Sequence, residues 1–192
     1  MNIAPEALTR MILGHDGSTT RILSAFLGEP LRVRIGRQER IQAGLALAAE
    51  VRAHLRITAE QTVIVRYSEL VRASGHAVSV NRVVMMPDRH PVIERIFDGG
   101  DVPLGRLLDE HVPGHHRILL RAGTRWFNGW ATDSRTSASR SYVIMLGDTP
   151  LLYVEEIFSP RIVPPVTDAD PRPAREPALP LHLIPQWREP VT

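Results

Sequence analysis

The chain has 192 residues, 43% of them hydrophobic and 23% charged, with a net charge of +2, a size that suits one packed domain with a tail rather than two large domains. It contains no cysteine and no lysine, which excludes disulfides, thiolate nucleophiles, cysteine-based metal and iron–sulfur sites, Schiff-base chemistry and a P-loop lysine. No apolar run approaches the roughly 20 residues of a membrane span and the N-terminus lacks the pattern of a secretion signal, so a cytoplasmic protein with no membrane contact is expected.

In chain order, PEALTRMIL and STTRILSAFLGE read as two short helices around a GHDG turn, with Ser18 or Thr19 as the N-cap of the second. LRVRIGRQERI alternates apolar residues with arginine, the pattern of a half-exposed strand. Residues 43–55, AGLALAAEVRAHL, are rich in helix formers and predict one helix. TVIVRYSEL and AVSVNRVVMMP flank ASGHA, a hairpin with glycine at its turn. HPVIERIFDGG and DVPLGRLLDEH predict two more short helices, the first closed by Gly99 and Gly100.

RILLRAGTRWF, RSYVIMLGDTP and LLYVEEIF supply three further strands, the last two joined by a tight turn over Gly147 to Pro150. Sequential strands without regular helical crossovers point to an α+β fold, an antiparallel sheet with flanking helices. Nine of the sixteen prolines then fall between Pro160 and Pro190, so the domain is expected over residues 1–160 and a Pro-rich tail over 161–192. Within that tail LPLHLIPQW is apolar enough to dock on the domain or a neighbour.

Candidate functional residues come from strand alternation. In LLYVEEIFSP, Glu156 shares a face with Leu152, Val154 and Phe158, while Glu155 shares the other with Leu151, Tyr153 and Ile157. A carboxylate on an apolar face loses hydration, which prepares an acid or base unless a cation compensates or the strand end lets it reach water. Arg82 sits likewise among Val78, Val80 and Val84, and Arg66 among Ile64, Ser68 and Leu70. Opposite charges aimed into one interior mean an ion pair or a small polar site, and arginine's planar fork suits a carboxylate-bearing ligand.

Other clusters carry less. Trp126, Phe127 and Trp130 interleave with arginines in a manner able to stack on single-stranded bases. Core packing explains them better, and because the arginines are spread along the chain no nucleic-acid partner is expected. His111, His115 and His116 are interrupted by Pro113 and Gly114, so no metal site is expected there.

Five segments, GSTTR, VRYSEL, NRVVMMP, PLGRLL and LLYVEEIFSP, stand in an order and at spacings that resemble the chorismate pyruvate-lyases, from about residue 16 to residue 160. The resemblance implies a sheet with flanking helices around a small buried site, and a cofactor-free carbon–oxygen lyase converting chorismate to 4-hydroxybenzoate and pyruvate. By the same resemblance Arg66 grips a carboxylate, Arg82 lies near the site, Leu104 offers its backbone N–H, and Glu156 is the acid/base group. Thr19 stands where some members carry methionine, and Glu155 remains open as the glutamate because the turn length varies. The same fold class resembles effector domains of bacterial transcription regulators, which gives a second reading, a non-catalytic sensor of an aromatic acid. A relative acting on another chorismate-derived substrate is a third.

Overall fold

Hairpin formation organises the sheet. The computed structural model describes residues 5–98, 102–130 and 136–166, with the side chains of 95–98 left aside. Strands β2 (Thr62–Val71) and β3 (Ala77–Met85), both rich in valine, pair antiparallel across a turn where Gly75 holds a φ of 85°, a conformation that a side chain would strain. β1 (Arg32–Gln42) adds to the outer edge of β2. Strands β4 (His115–Trp126), β5 (Thr136–Leu146) and β6 (Thr149–Phe158) form a second three-stranded meander. The two meanders join through β3 and β6, so the described sheet has six strands in the order β1-β2-β3-β6-β5-β4, every neighbouring pair antiparallel. This is the α+β architecture the alternation predicts.

Helices cover both faces. On one face α3 (Ala43–Ala46) and α4 (Ala49–Leu55) lay Leu47, Val51 and Leu55 over Val65, Tyr67, Val84, Tyr153 and Ile157. On the other, α5 (Pro91–Asp98) and α6 (Leu104–His111) cover Val83, Met85, Ile144 and Leu152. Beside them α1 (Pro5–Gly14) and α2 (Thr19–Leu27) cover Leu70, Val78 and Phe158. Each fully buried leucine, valine or phenylalanine contributes about 1.5–3 kcal/mol.

The single helix expected over 43–55 is two, because Leu47 is extended, with φ −129° and ψ 139°, and turns its side chain into the core. The first turn is pinned by Ala43 N–H to Gln61 O and Gly44 N–H to Ala59 O, each at 2.8 Å. A Cβ on Gly44 would lie 2.9 Å from that of Ala59, so glycine permits the approach.

Packing continues past residue 160, since Val163 is fully buried among the α1–α2 residues and the Pro164 and Val166 carbonyls accept from Thr9 and Thr124. Gly99, Gly100 and the tail segment LPLHLIPQW lie outside the described residues. Phe127 is buried and meets Trp130 edge-on at 5.4 Å, so these two aromatics serve the core while Trp126 is exposed. Among the described residues no helix is long and apolar enough to cross a membrane.

Candidate functional site

Where the α1–α2 and α5–α6 layers meet, the sheet is incompletely covered and a cavity remains. It offers about 60 Å³ to water centres, room for roughly four to six water-sized groups. Its floor is Arg66 and Ser68 of β2, Asn81 of β3, Tyr142 of β5 and Glu156 of β6, with Arg117 of β4 at one side. Its roof is the first turns of α2 and α6, Ser18 to Thr20 and Leu104 with Gly105. Ser18 caps α2, its hydroxyl accepting from Arg21 N–H at 3.5 Å. The amides of Leu104 and Gly105 belong to the first turn of α6, where a helix lacks its own acceptors.

Glu156 is 7% exposed. Its Oε2 accepts from Arg140 Nε at 2.7 Å and from the Thr19 hydroxyl at 2.9 Å. Arg140 also donates to the Thr19 hydroxyl, to Ile12 O at 2.8 Å and to His15 O at 2.9 Å. One guanidinium thereby ties the cavity floor to the start of α2 and the last carbonyls of α1. Burial opposes the charge of Arg140, but Glu156 and Tyr142 outweigh it and hold its pKa above the ordinary value. Tyr142, whose ring centroid lies 5.0 Å from Arg140 Cζ, has its phenol pushed far up, first by burial and then by the negative charge of Glu156.

Of the residues singled out in the sequence, Thr19, Arg66, Leu104 and Glu156 line this cavity together, and Arg82 does not. Arg82 pairs in register with Glu155, whereas Glu156 faces Asn81, and directly paired residues project to the same side of a sheet. Arg82 therefore points to the α3–α4 face, where it lies 3.7 Å from Glu155, donates to Ala46 O, and shares Glu155 with Arg125. The placement of Arg82 beside the site is thus corrected: the inward arginine and inward glutamate occupy opposite faces. Arg66 donates from Nε to Gln38 Oε1 at 2.7 Å.

The choice between Glu155 and Glu156 turns on one extra residue. The β5–β6 hairpin begins with Leu146 opposite Thr149 and Met145 opposite Pro150, then passes to Ile144 opposite Leu152. Leu151 is a bulge. Without it Arg140 would face Glu155; with it Arg140 faces Glu156. Arg140, Tyr142 and Arg117 were absent from the sequence reading, although Arg140, Tyr142 and Ile144 show the same two-residue alternation that marks Glu156. His115 lies 3.6 Å from Asp109, and among the described residues no group of three His, Cys, Asp or Glu side chains could hold a metal.

No family model matches the chain, and no curated protein matches its sequence. Solved structures do share the fold. PhnF from Mycobacterium smegmatis aligns at 14% identity and TM-score 0.58 over 79% of this chain and 67% of that one. The effector domain of PhnF aligns at 13% identity and TM-score 0.56 over 74% and 88%. A GntR-family transcriptional regulator from Bacillus cereus aligns at 11% identity and TM-score 0.52 over 68% and 92%. The fold is the chorismate lyase-like one that such regulator domains share with the lyases. The expectation of an enzyme is corrected on this finding, since the structures that carry the likeness include the effector domain of PhnF and a GntR-family transcriptional regulator. Lyase activity, chorismate, 4-hydroxybenzoate, pyruvate and aromatic biosynthesis are withdrawn with it.

Proposed function

We propose that this domain is a non-catalytic binding domain for a small carboxylate or similar oxyanion. One observation carries the reading: two guanidiniums, of Arg66 and Arg117, line the cavity, while Glu156, its one acidic lining residue among those described, is already neutralised by Arg140. Among the described residues the lining therefore carries more positive than negative charge. First-turn amides of α2 and α6 add their positive partial charge, and Val33, Leu70, Val83, Leu108 and Val154 supply apolar wall for the rest of an organic acid. Thr19 and Leu104 act here by position, Thr19 as part of the Glu156 lock and Leu104 through its backbone N–H. The likeness to an effector domain supports the reading.

Calorimetric titration with a panel of aliphatic and aromatic carboxylates, with inorganic phosphate as comparator, tests it. At least one acid should bind, and Arg66→Gln should weaken that acid by roughly 10- to 100-fold, the range of one hydrogen bond to a charged group. A panel in which no acid gives heat of binding, or an Arg66→Gln variant that binds as tightly as the parent, overturns the reading.

A further inference from the structure

A second, partly open hollow lies beside the main cavity. It offers about 40 Å³ to water centres and is lined by Gly14, His15, Asp16, Arg117, Leu119 and Tyr142, so Arg117 and Tyr142 form the wall common to both. Three buried nitrogens have no partner here: Nδ1 and Nε2 of His15 and Nε of Arg117. Arg117 Nη1 donates to Asp16 O at 3.2 Å, which leaves the Nε–H without an acceptor. Buried polar groups in folded proteins are nearly always paired, and an unmet donor costs about 1–3 kcal/mol. Such a space complements a guest rich in acceptors.

The charges facing His15 are Arg140 from β5, Glu156 from β6, Arg117 from β4 and Asp16 beside it in the chain, with the neutral phenol of Tyr142 completing the wall. Burial lowers the His15 pKa to about 4, and Arg140 outweighs Glu156 as Arg117 outweighs Asp16. The imidazole is thus neutral near pH 7 and stands in a net positive field. Asp16 is exposed, so water screens it.

We propose that the space beside His15 is a second anion site, taking a small oxyanion of carboxylate size on Arg117 Nε–H and on the His15 imidazole, which gains a proton from solvent as the anion enters. The two N–H groups of an imidazolium point away from each other, so the guest meets one of them together with the Arg117 Nε–H. About 40 Å³ corresponds to roughly three water-sized groups, and formate has three heavy atoms. The site is distinct from the one bound by Arg66, and its occupancy meets the α1 end held by Arg140.

The test follows the His15 ring nitrogens of the full chain by ¹⁵N NMR between pH 4 and 7.5, with and without sodium formate at constant ionic strength, assigned by their loss in His15→Gln. Formate should move the His15 titration up by at least one pH unit. Between the titration midpoints of the formate-bound and free imidazole, formate binding at this site should tighten toward tenfold per unit as pH falls, the slope for uptake of one proton. Arg66→Gln should leave the His15 response intact even where it abolishes binding in the main cavity. An unchanged His15 titration overturns the second site, and so does a response that disappears with Arg66→Gln, because the signal then belongs to the main cavity. Failure of the main cavity reading would show instead as an Arg66-independent panel with the His15 response preserved.

Discussion

Arg140 is the most deeply buried charged residue among those described, and it makes a buried Glu156 tenable. Removing one member of such a pair strands the other, which costs about 3–5 kcal/mol, whereas replacing both with apolar groups is often near neutral. Arg140→Met should therefore lower unfolding stability by about that amount in a urea titration, and Arg140→Met with Glu156→Leu should recover most of the loss. His15 gives a pH signature. Its folded pKa of about 4 lies below the ordinary 6.5, so its contribution is fully present above pH 6.5 and is lost as pH falls through 4. Because the ring is only partly shielded, the loss is on the order of 1 kcal/mol after screening. His15→Leu should flatten the urea midpoint against pH across that window, and a variant whose acid limb matches the parent would remove this role.

At the scale of elements, the site depends on how closely two helices begin. A Cβ on Gly105 would lie 2.8 Å from Ser18 Oγ and 3.8 Å from Arg117 Nη2, so glycine lets α6 start against α2 over the cavity. Gly105→Val should fill that mouth and weaken the bound acid at least tenfold by calorimetry. Stability should change by only about 1 kcal/mol, since glycine is itself a poor helix residue. Alternation made the strands readable from the sequence, and it put Glu156 on an inward face. Register was not readable. Single extra residues at Gly36, Leu120 and Leu151 shift the pairing; a glycine within a strand pattern hints at the first, and nothing local in the sequence announces the other two. Alternation within one strand also cannot say which face a neighbouring strand shares, which is why Arg82 was grouped with Glu156. The break at Leu47 was hidden for a similar reason, because its inward turn is set by sheet packing rather than by helix propensity.

For the whole molecule, the sheet separates two charged interiors: Glu156 with Arg140 beneath the cavity, and Glu155 with Arg82 and Arg125 under α3 and α4. Arg82→Leu should cost about 1–3 kcal/mol of stability through the loss of its charged hydrogen bonds, yet leave the acid's affinity within about twofold by calorimetry. A large affinity change would mean that the faces communicate. The seam between β3 and β6 has a further consequence. Arg66, Ser68 and Asn81 come from one meander, and Arg117, Tyr142 and Glu156 from the other, so neither half encloses the chamber by itself. A polypeptide severed between Met85 and His115 would yield two fragments whose reunion across the seam rebuilds the chamber, so on the reading proposed above the acid should tighten that reunion, a built-in complementation reporter for its own ligand.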